Sequence, residues 1–394
     1  MGVSITGIGV VSAIGMSVEE NLRSLRESKS GIGPLHYLQG TKASRAGEVK
    51  ASNDDLRRAL GVSTEYVSRT SLLGLQAARE AWGDNKRSGV IRTGLISATS
   101  VGGMDRSEVF YKDYLSQNKP DYQLLTTHDS GSTTERIARE LGITGYINTL
   151  STACSSGANA IMLGARLILQ GTLDRVLVGG TDALSGFTID GFRSLMIYDE
   201  QWCRPFDESR AGLNLGEGAG FLLLEGEKSL ELTGNVPVCQ VSGWANAADA
   251  YHQTASSPDG KGATLAIENA IRRAGIGLGD ISYVNAHGTG TKNNDHSESV
   301  ALKNVFGDHI PPFSSTKAFT GHTLAAAGAI EAVFSVLAIQ QNLIYPNLNY
   351  QTPIAETGLA PVAQLNTAVP VNAVLSNSFG FGGNNSSLVF TRYE

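Results

Sequence analysis

The 394-residue chain is poor in the features that mark secreted and nucleic-acid-binding proteins. Its three cysteines, Cys154, Cys203 and Cys239, are an odd number at wide spacing, which fits neither a disulfide framework nor a paired Cys-x-x-Cys metal site. A reducing cytoplasm is therefore the expected location. Basic residues (31) are outnumbered by acidic ones (37), for a formal net charge of −6. A protein that follows a phosphate backbone needs a basic excess, so no nucleic-acid partner is expected.

Long apolar runs are also scarce. None reaches the roughly 18 residues that a bilayer span requires, and the N-terminus lacks the basic region of a secretion signal, so no membrane association is expected. The opening glycines Gly7 and Gly9 are not followed by a third at Ser12, where a dinucleotide loop needs one, so no nicotinamide site is predicted. Glycine itself is abundant, with 46 residues, and 41% of the chain is hydrophobic. This composition predicts a large globular core with many tight turns.

Strand-like and helix-like segments alternate along the chain, which predicts a layered α/β architecture. The predicted strands are 3–11, 92–99, 144–150, 174–180 and 219–225, and the predicted helices are 18–27, 65–82, 132–141, 155–170 and 261–274. The pattern restarts near residue 236, and each part has an apolar helix after a polar turn and ends with a glycine-rich turn into an apolar strand. We therefore predict two similar halves, residues 1–235 and 236–394.

Cys154 lies where a predicted strand ends and a predicted helix begins, in the segment 152–157 (TACSSG). Backbone N–H groups and the positive end of a helix stabilise a thiolate at such a junction, and the small neighbours leave room for a substrate. A small buried core cysteine is the competing interpretation. Cys203 and Cys239 lack this context and are interpreted as structural.

His287 follows a strand-like segment in 285–291 (NAHGTGT), at the strand end where ligands gather in α/β sheets. A structural histidine is the alternative. The hydroxyls of Thr289 and Thr291 could hold an amide-bearing substrate there.

His322 ends the segment 314–322 (SSTKAFTGH) and precedes an alanine-rich helix, whose positive end would keep the imidazole neutral. Lys317 is either a surface charge or a site residue with Asp295 as its counter-ion. Glu331 lies inside an apolar run, where it is either buried with a cationic partner or exposed on one helix face. A cysteine with two histidines could serve acyl transfer with carbanion formation or cysteine hydrolysis, and spacing alone does not separate them.

Four segments together resemble the signatures of the elongating β-ketoacyl-acyl carrier protein synthases. They are 152–157 (TACSSG), 285–291 (NAHGTGT), Lys317 with Gly321 and His322, and 379–384 (FGFGGN), and the resemblance runs along the whole chain. It implies the thiolase fold, an α/β fold with two similar βαβαβαββ halves in a five-layered αβαβα arrangement. It also implies an acyltransferase that joins an acyl chain and a malonyl group to give a 3-ketoacyl product and carbon dioxide.

The resemblance also implies a role for each matching residue. Cys154 accepts the acyl chain, and His287 and His322 bind the malonyl thioester and promote its decarboxylation. Backbone N–H groups of Cys154 and Phe381, next to Gly380, form an oxyanion hole, and Phe381 is the gate between the two steps. Lys317 acts through His322 and Asp295, and Glu331 supports the histidines. Thr289 and Thr291 match positions that contact phosphopantetheine.

The same resemblance implies an acyl carrier protein as partner, with substrates carried on its phosphopantetheine arm and no other cofactor or metal. Arg193 and Arg204 are the best matches to the family's basic carrier-binding surface, although a solvated helix end and a structural turn are the alternatives. A homodimer, or a heterodimer with a chain-length-factor-like subunit, is expected.

Two departures from the family pattern, Lys292 for a proline and Asn384 for a threonine, indicate a different substrate, such as that of a specialised polyene or polyketide pathway. A degradative thiolase would need a second cysteine near the C-terminal glycine turn, and a chain-length factor would lack Cys154. An acyl-thioester hydrolase and a carrier-binding scaffold are the alternatives outside the family.

Overall fold

The computed structural model describes residues 2–85 and 89–393. Within them, ten strands form one mixed sheet: β1 (Val3–Val11), β2 (Thr93–Ala98), β3 (Ile147–Leu150), β4 (Arg175–Asp182), β5 (Gly218–Glu225), β6 (Cys239–Ala248), β7 (Tyr283–Asn285), β8 (Phe313–Ser314), β9 (Ala373–Gly380) and β10 (Asn384–Thr391). The α-helices in the same residues are α1 (Val18–Arg26), α2 (Asn53–Leu60), α3 (Arg69–Trp82), α4 (Met104–Leu115), α5 (Ser130–Leu141), α6 (Ser156–Leu169), α7 (Gly186–Ser194), α8 (Glu227–Thr233), α9 (Lys261–Ala274), α10 (Lys292–Phe306), α11 (Lys317–Thr320) and α12 (Ala327–Gln341). Short 3₁₀ turns lie at Tyr122–Thr127, Leu278–Asp280, Leu324–Ala326 and Phe381–Gly383.

The order of the strands is the same in the two parts of the sheet when it is read outward from the centre. The full order is β3-β2-β4-β5-β1-β6-β10-β9-β7-β8. In the first five strands β2 is parallel to β3 and β4, while β5 is antiparallel to β4 and β1. In the last five strands β7 is parallel to β8 and β9, while β10 is antiparallel to β9 and β6. The two sets join through a short antiparallel pairing of β1 with β6.

Helices cover both faces of each set of strands. On one side α3 packs against β1, β4 and β5, and on the other α9 packs against β6 and β10. Between the two sets lie α6 and α12, which contact each other and strands of both sets. This is the αβαβα layering of the thiolase fold. Because the central strands are covered on both faces, β4 and β5 are buried along their whole length and consist largely of glycine and aliphatic residues.

The two central helices approach closely because glycine stands at their crossing. A Cβ atom added to Gly157 would lie 2.7 Å from the backbone nitrogen of Ala329, and one added to Gly328 would lie 3.0 Å from that of Ala158. Around this contact a single apolar core contains residues from both parts of the chain, among them Ile161 and Phe334. The predicted division at residue 235 falls between α8 and β6 and stays a prediction.

Helix α12 explains a difference from the sequence analysis. The window Leu324–Gln341 is 18 residues long and, by length and composition only, apolar enough to cross a membrane, although no such run was expected. Of that window 89% is buried inside the protein. A helix that is apolar on all sides suits the middle layer of this fold, where protein surrounds it.

The strand β1 and the helix α9 have the predicted bounds, and most other predicted elements differ by one to three residues. The predicted helix at 65–82 begins at Arg69, because the Ser68 side chain accepts the backbone N–H of Ser71 and caps the helix there. Helices α2, α4, α7 and α8 were missed. They lie near the surface in segments that lack an apolar stripe long enough to predict a helix.

Candidate active site

Three distant segments of the chain meet at the carboxyl ends of the strands. Cys154 follows β3, His287 follows β7, and His322 lies between α11 and α12. All three side chains are at least 95% buried and line one cavity of about 500 Å³. The structure therefore brings together the cysteine and the two histidines that the sequence singled out.

A tight turn positions the Cys154 sulfur. Ala153, the residue before it, has a left-handed backbone (φ 52°), and the side chain of Ser156 braces the turn by accepting the Thr152 N–H (2.7 Å) and donating to the Ala153 carbonyl. Strained backbone of this kind clusters at functional sites, where the surroundings hold it in place. The turn precedes α6, which begins at Ser156.

The thiol of Cys154 differs from the activated thiolate that the sequence suggested. Burial raises the pKa of Cys154 to about 11, although Lys317 and the backbone N–H groups of Phe381 and Cys154 act in the opposite direction. The expected stabilising influence at the strand-to-helix junction is present, but desolvation outweighs it. Cys154 is therefore a neutral thiol at physiological pH, with two N–H donors directed at its sulfur.

The glycine-rich turn after β9 lies against the cysteine. A Cβ atom on Gly380 would lie 3.2 Å from the Cys154 backbone nitrogen, so only glycine allows this close approach without displacement. Phe381 follows it and stacks on Phe192, with ring centroids 5.8 Å apart. Both rings line the cavity.

Hydrogen bonds fix the same tautomer in both histidines. Nδ1 of His322 accepts the backbone N–H of Leu324 (3.2 Å), and Nδ1 of His287 accepts from the Lys317 ammonium (3.2 Å), which has no acceptor of its own. The proton of each neutral ring therefore lies on Nε2. Burial, together with the nearby Lys317 charge, holds the pKa of both imidazoles well below its ordinary value. The rings stand almost perpendicular, with centroids 5.4 Å apart.

Lys317 is almost fully buried, and its partners differ from the expected ones. Its ammonium donates to the Glu331 carboxylate, to the His287 carbonyl (2.6 Å) and to His287 Nδ1. It thus contacts His287 rather than His322, and its counter-ion is Glu331 rather than Asp295. Glu331 is buried on α12, and burial raises its pKa to about 7 against the influence of Lys317. Of the two alternatives for Glu331, the structure has the buried position with a cationic partner.

Asp295 binds the backbone of the loop that follows β7, because its position on α10 directs its side chain at that loop. Its carboxylate accepts the backbone N–H groups of Thr289 (2.9 Å), Gly290 and Phe206 (2.8 Å). These bonds to the loop explain why the carboxylate has no contact with Lys317 in the described structure.

Glu298, one helical turn further along α10, was missed by the sequence analysis. Its two oxygens accept the backbone N–H groups of His287 (2.9 Å) and Gly288 (2.8 Å), and burial raises its pKa to about 7. Asn377 on β9 donates a further hydrogen bond to it (3.1 Å). The signal for this role was available, since Asp295 and Glu298 are three residues apart on one face of a helix directly after the histidine loop.

The remaining candidates lie at the cavity mouth or outside it. The hydroxyls of Thr289 and Thr291 are 2.8 Å apart and both residues line the cavity. Arg193 forms an ion pair with Glu200, and Arg204 forms one with Asp199 (3.0 Å). Both arginines thus have a carboxylate partner within the chain, and their assignment to a carrier-binding surface stays a prediction.

The other cysteines lie outside the cavity, and all three thiols are free. Burial raises the pKa of Cys203 and of Cys239 to about 12. Neither has the pair of backbone N–H donors that Cys154 has.

Comparison with known proteins agrees with this geometry. The model of the β-ketoacyl synthase N-terminal domain matches residues 2–229, and that of the C-terminal domain matches residues 238–351. The 3-oxoacyl-[acyl-carrier-protein] synthase 2 of Staphylococcus aureus is 34% identical, over 100% of this chain and 98% of its own length.

Two solved structures resemble the chain over its full length. The ishigamide ketosynthase/chain length factor has a TM-score of 0.92 and 31% identity, covering 100% of this chain and 99% of that one. A type II polyketide acyl carrier protein in complex with its ketosynthase, bound to the hexaketide, has a TM-score of 0.88 and 27% identity, with the same coverage. The matches to both domain models, the relative at 34% identity and the shared fold show that the chain belongs to the β-ketoacyl synthase family of condensing acyltransferases, which act in fatty-acid or polyketide synthesis.

Proposed function

We propose that the protein is a 3-oxoacyl-acyl carrier protein synthase that condenses an acyl chain with a malonyl unit, both delivered as carrier-protein thioesters. One observation carries the proposal: a buried thiol with two backbone N–H donors shares a cavity with two imidazoles whose protons are both on Nε2. The site thus has one nucleophile and two separate sets of donors for developing negative charge.

In the first step the Cys154 sulfur attacks the acyl thioester. The carbonyl oxygen becomes an oxyanion and takes the N–H donors of Cys154 and Phe381 that otherwise point at the sulfur. The bond to the phosphopantetheine sulfur breaks, and the thiol proton leaves with that sulfur. Because the free thiol is neutral, its proton is lost only as the carbon–sulfur bond forms, and the oxyanion hole carries most of the stabilisation.

In the second step the malonyl thioester loses carbon dioxide. Its carbonyl oxygen accepts from the Nε2–H groups of His287 and His322, which stabilise the enolate left by the departing carboxylate. Neutral donors suit this step, since they favour the enolate without protonating its carbon. The Lys317 ammonium keeps the His287 proton on Nε2 by occupying Nδ1.

In the third step the enolate carbon attacks the acyl-Cys154 carbonyl. The carbonyl oxygen again becomes an oxyanion in the hole of Cys154 and Phe381, and the carbon–sulfur bond breaks as the carbonyl re-forms. The Cys154 thiolate then takes a proton from water, which restores the thiol. The products are the 3-ketoacyl thioester, carbon dioxide and the free enzyme. Phe381, stacked on Phe192 at the cavity wall, is the gate that admits the malonyl group after acylation.

The carrier protein binds at the cavity mouth, where Thr289 and Thr291 hold the amides of the phosphopantetheine arm. Lys292 lines this cavity and is exposed, and Met196, which lines the same cavity, is 88% exposed. Such a pairing of a cation with an apolar side chain suits an acidic partner that also offers apolar contacts. Lys292→Glu should raise KM for acyl-carrier-protein but leave KM for a free pantetheine thioester unchanged, whereas Lys303→Glu on the distal part of α10 should change neither.

The chain forms a dimer with a second copy or with a related ketosynthase-like subunit. The outer edge of β3 has no neighbouring strand in the described sheet, and Tyr146 and Ile147 are exposed there. An apolar strand edge without a protecting charge is a template for pairing with another chain. Ile147→Lys should lower the mass measured by light scattering to that of a single chain, while Leu278→Lys, at a distant exposed leucine, should not. A single-chain mass for the unmodified protein would argue against a homodimer and direct the search to a heterologous subunit.

The acyl substrate comes from a specialised fatty-acid or polyketide pathway in the cytoplasm. The departures at Lys292 and Asn384 support this, since one lies at the cavity mouth and the other follows the gating turn. The free, buried cysteines suit a reducing compartment.

Incubation with acyl- and malonyl-carrier protein tests the reaction. We expect carbon dioxide and 3-ketoacyl-carrier protein in equal amounts, and free acid alone would identify a hydrolase instead. Cys154→Ala should remove the acyl adduct seen by intact mass and keep the fold, while Cys239→Ala should retain the adduct. An acyl adduct that persists on Cys154→Ala would show that another residue is the nucleophile.

A further inference from the structure

Asp182 is a buried carboxylate that the reaction above does not use. It is the last residue of β4 and has no exposed surface. Its carboxylate accepts hydrogen bonds from Ser100 N–H (3.0 Å), Val101 N–H (3.2 Å), Ala325 N–H (2.8 Å) and the Thr99 hydroxyl. No basic side chain is paired with it in the described residues. Four hydrogen-bond donors from two separate segments therefore take the place of a counter-ion.

One of these segments is the turn that holds His322. Leu324 donates its N–H to His322 Nδ1, and its backbone is left-handed (φ 53°), an uncommon conformation for a leucine. Ala325, the next residue, donates to Asp182. The carboxylate thus anchors the strained turn immediately after the bond that fixes the His322 tautomer.

The 324–325 turn packs tightly against strand β4. A Cβ atom on Gly180, two residues before Asp182, would lie 2.9 Å from the Ala325 carbonyl oxygen, so the turn packs directly on β4. The second segment, residues 99–101, follows β2 and brings Val101 into an apolar cluster with Leu324 and Phe192. Phe192 lines the active-site cavity. Asp182 therefore links the turn at residues 324–325 to residues 99–101, which pack near Phe192 in the cavity wall.

We propose that Asp182 is a positioning residue for His322, which holds the 324–325 turn so that the imidazole keeps its proton on Nε2 and directs it at the malonyl carbonyl. The proposal rests on the proposed function, because it assigns His322 to enolate stabilisation. Its hydrogen bonds act on the malonyl step, whereas its effect on Cys154 is electrostatic, because its charge raises the pKa of the thiol. The oxyanion hole used in acylation is built from Cys154 and Phe381, whose backbone does not bond to Asp182.

Asp182→Asn tests this with little change in shape. An amide has one acceptor atom and one donor atom, so its NH₂ group must face at least one of the N–H donors that the carboxylate accepts. Loss of a hydrogen bond to a charged group is typically about 1.5–3 kcal/mol, and a tenfold change in rate is about 1.4 kcal/mol. We therefore expect malonyl-carrier-protein decarboxylation to fall by about tenfold to a hundredfold and acylation of Cys154 to change by less than about threefold.

The control is Glu225→Gln. Glu225 is also a fully buried carboxylate, accepts from Thr6 (2.6 Å), Ser229 and Asn235 (2.7 Å), and lies at the opposite end of the β4–β5 pair. It should lower the stability without separating the two rates. Equal losses of acylation and decarboxylation in Asp182→Asn, or the same separation in Glu225→Gln, would overturn the proposal.

A second variant covers the case in which Asp182→Asn does not fold. Gly180→Ala places a Cβ atom 2.9 Å from the Ala325 carbonyl oxygen and so displaces the turn while the carboxylate stays intact. Decarboxylation should again fall more than acylation. Nitrogen-15 spectra of histidine-labelled protein should show His322 Nδ1 unprotonated in the unmodified protein and a mixture of tautomers in the variant. An unchanged His322 spectrum and unchanged rate ratio would overturn the proposal. Failure of the unmodified protein to form either product would instead contradict the proposed function.

Discussion

Replacing Lys317 by methionine should destabilise the protein in a way that depends on pH. The methionine keeps most of the buried volume but removes the only cation that contacts Glu331 in the described structure. Breaking a buried ion pair by removing one partner costs about 3–5 kcal/mol, unless the remaining group neutralises itself. Glu331 can do so by binding a proton.

The sign of the pH dependence follows from the raised pKa of Glu331, about 7 in the folded protein. Between the unfolded value and about 7, the folded state binds the extra proton, so this group contributes stability at low pH that is lost as pH rises. With Lys317 present, the free energy of unfolding stops falling near pH 7, because Glu331 then ionises beside its partner. Without Lys317 the pKa of Glu331 in the folded protein is higher still, so the free energy of unfolding continues to fall above pH 7, by about 1.4 kcal/mol per pH unit.

Urea unfolding at pH 6, 7, 8 and 9 measures this difference. The free energy of unfolding of Lys317→Met should diverge from that of the unmodified protein above pH 7 and run parallel to it below. Lys228→Met removes a half-exposed lysine from Asp174, which keeps Arg92 as a second cationic partner, and should cost less than about 1 kcal/mol at every pH. A difference for Lys317→Met that stays constant from pH 6 to pH 9 would refute the reasoning.

The same structure makes three further predictions. Alkylation of Cys154 by iodoacetamide should accelerate with pH up to about 11, because burial raises the thiol pKa; a plateau below pH 9 would indicate an activated thiolate. His322→Ala should retain acylation of Cys154, measured by intact mass, better than malonyl decarboxylation, and equal loss of both would contradict its role as an enolate donor. Asn384→Thr should lower the free energy of unfolding by about 1 kcal/mol, because the Asn384 Oδ1 atom accepts hydrogen bonds from Ser155 (2.7 Å), Asn159 (3.1 Å) and Asn246 (2.7 Å). An unchanged free energy of unfolding in urea would show that the threonine hydroxyl replaces the amide oxygen as acceptor.

Much of the site was predictable because its residues lie in short local patterns. Cys154, His287 and His322 each follow a polar turn next to a strand or helix, and the sheet carries all three to one edge. The partners of Lys317 were not predictable in this way. Asp295 and Glu331 are both acidic residues near it in the fold, and only the directions of α10 and α12 decide that Glu331 reaches the ammonium.

The thiol state of Cys154 shows a second limit. A strand-to-helix turn indicates stabilised negative charge, and the backbone donors that provide it are present. The opposing cost depends on how completely the surrounding layers exclude water, which is a property of the whole fold. The roles of Glu298 and Asp182 were not predicted for a related reason. A carboxylate that binds backbone N–H groups does not require a particular residue type at its partners, so no sequence motif marks it.

Because α6 and α12 cross at Gly157 and Gly328, the activity of the enzyme depends on the docking of the two parts of the chain. The nucleophile lies in the part of the chain that forms β1 to β5, and both histidines lie in the part that forms β6 to β10. If the chain were expressed as two fragments divided between α8 and β6, neither would contain a complete reaction centre. Recovered turnover would then count the fragment pairs that had docked with the helices in register, without any added fluorophore or tag.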